Sequence, residues 1–300
     1  YSRVRWNSGL DLTYTPSTLH DVPQMPGDAP FYEGTRENIV AVYGSPRLGL
    51  TRDEEQFTAI ILTYDRDDGV KKIIEKLRNC PYLNKIIIVW NNLLRRPNET
   101  WPEIHVPIEF ILAERNSLLS RFVPYDRIET EAVLSLDDDI GLDQPEVTFG
   151  FRMWRENRDR LVGYPERYHK FENGKGKYGL SGTCEHSLIL TGYTFLHKEF
   201  LFEFTYNQHP AILEHIEKNR NCEDLAMNYL VAHLTRKPPL KVVKKVNINN
   251  GSAKSGLSSR GNHYTKRDEC IQMLSKIYGY NPLLFSQETA HPNGNCVKGL

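Results

Sequence analysis

The chain lacks net charge: 38 Lys and Arg balance 38 Asp and Glu over 300 residues. That balance removes any global electrostatic case for a nucleic acid or a membrane surface as partner. No apolar run approaches the 18 or so residues that span a bilayer. Cysteine is scarce. Cys80, Cys184, Cys222, Cys270 and Cys296 are the only five, and no two form a CxxC pair, which argues against zinc. The ten histidines show no metal spacing, and His209 and His215 read as surface or packing residues at a helix start. There is no internal repeat, no low-complexity segment and no signal peptide. The chain begins with Tyr1, and a fragment or processed form of a longer protein is expected.

Apolar content of 39% and charged content of 25% are those of an ordinary globular protein. The sequons at Asn98 and Asn250 are mild signs of a secretory lumen, where some cysteines pair and one is left over. Residues 1–55 carry Pro16, Pro23, Pro26, Pro30 and Pro46 and little periodicity, which predicts an extended arm or linker. From residue 56 the pattern becomes that of one domain. FTAIILTY, KIIIVWNN, VPIEFILAE and EAVLSLDDD are continuous apolar strands. DGVKKIIEKLRNC and EVTFGFRMWRENRDRL are helices between or after them. This alternation predicts an α/β fold with a mainly parallel sheet covered on both faces. The second half is more mixed. SLILTGYTFLH and KVVKKVNI read as strands, and PAILEHIEKN, EDLAMNYLVAHL and KRDECIQMLSKIYG as helices, the last ending at Gly279.

The stretch AVLSLDDDIG, residues 132–141, carries the first chemical signal. Asp137, Asp138 and Asp139 stand at the carboxyl end of a buried-type strand, where open α/β sheets bind ligands. Three adjacent carboxylates repel one another, and a divalent cation would remove that cost. Oxygen ligands of this kind suit Mg2+ or Mn2+ shared with a substrate's phosphates. Acidic triplets also cap helices or decorate loops. The buried-type strand in front of this one weighs against that reading.

These residues sit among several others that together resemble the C-terminal catalytic domain of the exostosin family. The matching stretches are LTYDR at 62–66, KIIIVWNN at 85–92, NSLLSRF at 116–122, AVLSLDDD at 132–139, NCEDLAMNYLV at 221–231, and the C-terminal RDECI and KIYGYNPLL. RPNETWPEIHVPIEF and TRKPPLKVVKKV most resemble the exostosin-like 3 subgroup. The resemblance covers residues 56–300 and implies a GT-A glycosyltransferase fold with DDD in the place of its DxD motif. It implies transfer of α-linked N-acetylglucosamine from UDP-GlcNAc with Mn2+, in heparan sulfate synthesis. The implied acceptor is a glucuronate-ended glycan on a proteoglycan. The implied setting is the lumen of the Golgi or endoplasmic reticulum, behind a type II membrane anchor. A homodimer, or a heterodimer with another exostosin, is a possible assembly.

Residue roles carry over position by position. Tyr64 and Arg66 match the uridine and phosphate pocket, and Leu62 stands where some relatives have Gln, so that a contact there is through backbone. Asn91 matches a uracil or ribose contact, and Asn116 and Arg121 match residues that hold nucleotide and sugar. Asp137 and Asp138 would meet ribose and donor sugar, Asp139 would hold Mn2+, and Arg267 would bind the diphosphate. Glu223 and Asp224 match an acidic pair that faces the reacting carbon and the acceptor hydroxyl. The helix macrodipole favours acidic residues in a first turn for capping alone, so both readings stand. The resemblance also pairs Cys222 with Cys270. Cys184 with Cys296 is a second candidate bridge, which leaves Cys80 free.

Other features are set aside. GKGKYG at 174–179 satisfies G-x-G-x-x-G but follows no apolar strand and opens no helix, and reads as a chance match in a flexible loop. Lys237, Lys241, Lys244 and Lys245 read as a solvated strand face, or as a surface for an acidic acceptor. Tyr193 is read as core or as a sugar-stacking ring. Three functions compete: a UDP-GlcNAc transferase, a weakly active scaffold subunit of a polymerase complex, and a nucleotidyl- or phosphoryl-transfer enzyme. The last lacks a glycine-rich loop that leads into a helix.

Overall fold

The computed structural model describes residues 55–97, 100–180, 184–243 and 262–292. The expected arm at 1–55, the sequons at Asn98 and Asn250, Cys296, Lys244 and Lys245 therefore lie outside the described residues, apart from Glu55 at the arm's end. Strands β1 (Phe57–Thr63), β2 (Leu83–Trp90), β3 (Ile108–Leu112) and β4 (Ala132–Asp137) pair in parallel. They form one half of an eight-stranded sheet of order β11-β10-β5-β9-β4-β1-β2-β3. The other half contains β5 (Val162–Gly163), β9 (Tyr193–His197), β10 (Leu240–Val242) and β11 (Thr289–Ala290). Only β9 runs antiparallel, between β4 and β5. A separate antiparallel sheet holds β6 (Glu166–Glu172), β7 (Lys175–Gly179) and β8 (Leu188–Ile189). The mainly parallel, helix-flanked sheet and the mixed second half are thus both present.

Side chains alternate along a strand, so a continuous apolar run needs two apolar faces. Both exist. Ile60 and Leu62 of β1, Ile87 and Val89 of β2 and Val133 of β4 enter one core. Phe57, Ala59 and Ile61, with Ile86, Ile88, Trp90, Leu134 and Leu136, enter the other. Helix α1 (Asp67–Lys76) covers the second core with Val70, Ile73 and Ile74, and α2 (Gln144–Arg155) adds Val147, Phe151 and Trp154. The first core is covered by a 3-10 helix (Leu118–Phe122), α3 (Lys198–Phe202), α4 (Pro210–Asn219), α5 (Glu223–Thr235) and α6 (His263–Tyr278). Of the α5 residues, all but Glu223 are buried, as expected of a helix apolar all round. Gly279 closes α6 at φ 74°, a left-handed cap that glycine adopts without a Cβ penalty.

Two expectations change here. GKGKYG is not a flexible loop: it is the turn and second strand of the β6–β7 hairpin. Asn173 and Gly174 both have positive φ, 52° and 73°, the type I′ geometry that an Asn-Gly pair between strands supports. SLILTGYTFLH is not one strand but two, β8 and β9, which join different sheets. Tyr193 is fully buried and stacks on Tyr164 at 4.1 Å, so it belongs to the core.

Candidate active site

Parallel pairing places the carboxyl ends of β1, β2 and β4 at one edge of the sheet. Leu62 lies opposite Asp137 in register, and both its burial and its apolar side chain leave only backbone to offer. Tyr64, just past the strand, is exposed. Asn91, past β2, is buried; its N–H donates to the Thr63 carbonyl at 2.8 Å, and its side-chain amide donates to the Ser117 carbonyl at 2.7 Å. Asn116 immediately precedes Ser117 and is half-buried.

The aspartates are individually partnered. Arg121 donates to Asp137 Oδ1 at 2.6 Å. Asp138 accepts the Thr63 hydroxyl at 2.8 Å and Arg66 at 2.9 Å, and the same Arg66 nitrogen reaches Asp139 Oδ2 at 2.6 Å. Burial raises the Asp138 pKa, Thr63 and Arg66 oppose that, and the flanking carboxylates add to it. Arg66 and Arg121 thus already offset part of the repulsion within the triplet, and a divalent cation would add to what they supply. Glycine holds the frame on both sides. A Cβ at Gly192 would come 2.1 Å from Asp137 Oδ2, and one at Gly69 would come 2.1 Å from the Asp138 carbonyl. Gly192 also accepts the Asp137 N–H at 2.9 Å.

The donor chemistry fits a shared ion. Among the described residues, no group of three or more His, Cys, Asp or Glu could hold a metal alone. The Asp139 side chain is 36% exposed and Asp138 only 11%, and Arg66 takes one Asp139 oxygen. An exposed carboxylate of this kind suits a hard cation that draws its other ligands from water and phosphate.

The second acidic group lies at the start of α5. Arg267, 5% exposed, donates to Asp224 Oδ2 at 2.5 Å and to Asn221 Oδ1 at 3.2 Å, and its guanidinium lies 4.3 Å over the Tyr178 ring. Asp224 also accepts the Leu225 N–H at 2.8 Å. Burial pushes the Asp224 carboxyl up, but Arg267 and this N–H outweigh it and hold the group below its ordinary pKa. Glu223 goes the other way. Although the residue as a whole is partly exposed, desolvation of its carboxyl first, and the charge of Asp224 second, raise it to about 7 against the pull of Arg121 and Arg267. Arg121 is buried, which would lower its pKa, yet Asp137 and Glu223 keep it raised. Arg121 therefore sits in the fields of both acidic groups and joins them electrostatically.

Two covalent or packing devices fix this arrangement. The Cys222–Cys270 disulfide links the residue before Glu223 to the helix that carries Arg267. The β6–β7 hairpin docks on the same helix: Asp268 accepts from Tyr178 N at 2.8 Å and from Lys177 Nζ at 2.9 Å. A Cβ at Gly176 would come 2.5 Å from Ile271. Cys80 is free and buried. His209 caps α4 by accepting from Ala211 N, and His215 contacts Cys270 Sγ at 3.4 Å. Lys237 and Lys241 are paired with Asp159 and Glu166, not simply solvated.

Sequence reading missed Thr63, Ser117, Tyr178, Asn221 and Gly192. Only the hairpin had a usable signal, the Asn173-Gly174 pair; the others are hydrogen-bond nodes whose partners are distant in the chain.

Residues 57–294 match the Glycosyl transferase family 64 domain. The chain is similar to the Exostosin-like-3 homolog of Caenorhabditis elegans, at 47% identity over 293 residues, covering 96% of this chain and 36% of that protein. It is similar to Exostosin-2 of Homo sapiens at 43% over 243 residues, with 79% and 34% covered. It is similar to Exostosin-1 of Bos taurus at 32% over 293 residues, with 92% and 37% covered. The chain thus spans about a third of the length of these relatives. A solved structure, GalNAc-T7 with UDP, GalNAc and Mn2+, superposes with a TM-score of 0.37 at 9% identity, over 50% of this chain and 37% of that one. That likeness is too slight to carry an argument.

Proposed function

The chain belongs to the glycosyl transferase family 64, the family of the exostosins, and on that premise we propose that it is a metal-dependent retaining α1,4-N-acetylglucosaminyltransferase. The donor is UDP-GlcNAc, and the acceptor is a glucuronate-ended glycan, either a linkage tetrasaccharide or a growing heparan sulfate chain. The setting is the Golgi or endoplasmic reticulum lumen, within a longer membrane-anchored protein that pairs with itself or another exostosin. One observation carries the reading: the Arg121–Asp137 and Arg267–Asp224 pairs flank a single carboxyl, Glu223, at the ligand-binding edge of a parallel sheet.

Each group has work suited to its environment. Tyr64, Asn91 and Asn116 line the nucleotide side. Arg66 and Arg121 orient Asp137 to Asp139 and hold their charge in place for ribose and donor sugar. A divalent cation at Asp139 would supply charge neutralisation on the diphosphate. Arg267 lies near enough to the acidic pair for its guanidinium to favour the negative charge that grows on the departing UDP. Asp224, locked by Arg267 and Leu225, is held ionised and orients the donor or acceptor hydroxyls. Glu223, in its ionised form, stabilises the positive charge that develops on the sugar.

The test is sugar transfer from a panel of UDP-sugars to a linkage-type tetrasaccharide and to a longer glucuronate-ended fragment, with Mn2+ and with EDTA. Metal-dependent transfer of GlcNAc is expected, and the preferred acceptor separates a chain starter from an extender. A folded protein that transfers from no donor would sink the reading and favour a scaffold subunit.

A further inference from the structure

Helix α4 carries a carboxylate, Glu217, that no role above explains. Ser117 is buried, and three hydrogen bonds meet on it. Its hydroxyl donates to Glu217 Oε1 at 2.5 Å and accepts the Leu119 N–H at 3.0 Å. Its carbonyl accepts the Asn91 amide at 2.7 Å. Ser117 is also the N-cap of the 3-10 helix, and Arg121, on that helix, pairs with Asp137. One serine thus fixes Asn91 at the end of β2 and the helix that bears Arg121.

The charged group that Ser117 bonds is Glu217, which also pairs with the exposed Arg115 at 3.5 Å. A hydrogen bond to an ionised carboxylate is roughly twice as strong as a neutral one and sets geometry more tightly. Glu217 is also tied to the second acidic group by sequence. Helix α4 ends at Asn219, and Arg220 and Cys222, both left-handed at φ 47° and 79°, turn the chain straight into Glu223. The helix that holds Ser117 therefore leads directly into the acidic pair.

We propose that Glu217 is a positioning residue: through Ser117 it fixes Asn91 and Arg121, and so sets the affinity of the nucleotide side of the site. This rests on the reading of that side as a UDP site.

The experiment is calorimetric titration of UDP with Mn2+ into wild type, Glu217→Ala, Glu217→Gln and Ser117→Ala, with KM and kcat for the UDP-sugar measured beside it. Glu217→Ala is expected to weaken UDP binding about tenfold, about 1.4 kcal/mol. KM for the donor rises by a similar factor, and kcat stays within about twofold of wild type. Glu217→Gln recovers most of the affinity, because its amide oxygen still accepts the Ser117 hydroxyl. Unchanged UDP affinity in Glu217→Ala, even with lowered thermal stability, overturns the inference. If Glu217→Ala does not fold, Ser117→Ala decides in the same way. Wild type that binds no UDP fails the nucleotide reading itself and takes this inference with it; wild type that binds while the variants match it fails the inference alone.

Discussion

In the proposed mechanism the chemistry turns on Glu223, whose environment is divided. Burial and Asp224 favour its neutral form; Arg121 and Arg267 favour its ionised form; the neutral form gains, and the pKa rises to about 7 from 4.5. Turnover is therefore expected to rise with pH through about 7, as the charge-stabilising form appears. Glu223→Gln removes that step from the pH profile and lowers kcat by at least tenfold, about 1.4 kcal/mol of barrier. Near wild-type turnover in that variant would show that the side chain is not catalytic. The stability effect has the opposite sign. Between pH 4.5 and 7 the folded protein keeps a proton that the unfolded chain has released, so this group's contribution falls as pH rises across that window. Glu223→Gln should accordingly melt higher than wild type above pH 7 and level with it below pH 4.5, as read by thermal melts at both pH values. Arg267 behaves differently, because it and Asp224 are both buried. Arg267→Ala strands a buried carboxylate and is expected to cost about 3–5 kcal/mol in urea unfolding. Arg267→Lys recovers little of it, since an ammonium cannot reach Asp224 and Asn221 together or lie flat on Tyr178 as a guanidinium does.

Among the elements, α6 is the one that the site depends on and that the local sequence explains least. It holds Arg267 in place through three ties: the Cys222–Cys270 disulfide, Asp268 on the β7 backbone, and Ile271 against Gly176. The disulfide spans 48 residues of sequence, and its removal is expected to cost about 2–4 kcal/mol. Cys222→Ser with Cys270→Ser should lower the unfolding free energy in urea by that amount and reduce transfer further than the lost stability explains, when both are assayed well below the melting temperature. Equal loss of activity and folded fraction would make the bond a staple only. Gly176 was legible as a glycine but not as a contact. Its close approach to Ile271 depends on the hairpin folding over a helix nearly a hundred residues away.

At the scale of the whole molecule, the site is an edge shared by segments from residue 62 to residue 267. Binding there should stabilise the fold as a unit. UDP with Mn2+ at a hundred times its dissociation constant is expected to add about 2.7 kcal/mol of stability, seen as a raised melting temperature, and EDTA should remove the metal-dependent part. No shift with either would count against a nucleotide–metal site at Asp137 to Asp139. No helix among the described residues is long and apolar enough to cross a membrane.

The strands, most of the helices and the placement of Asp137 to Asp139 at a strand's carboxyl end were legible from periodicity, because burial on two faces writes itself directly into continuous apolar runs. The motif residues and the Cys222–Cys270 pair came from resemblance, since nothing local in Arg66, Arg121 or Arg267 separates them from surface charges. Tertiary structure alone decided who neutralises whom. Arg66 and Arg121 divide the aspartate triplet between them, Arg267 takes Asp224, and Glu223 is left with a raised pKa. Such pairings depend on distances of a few ångströms and on exclusion of water. Both arise only when separated segments close on one another, and no local pattern of residues encodes them.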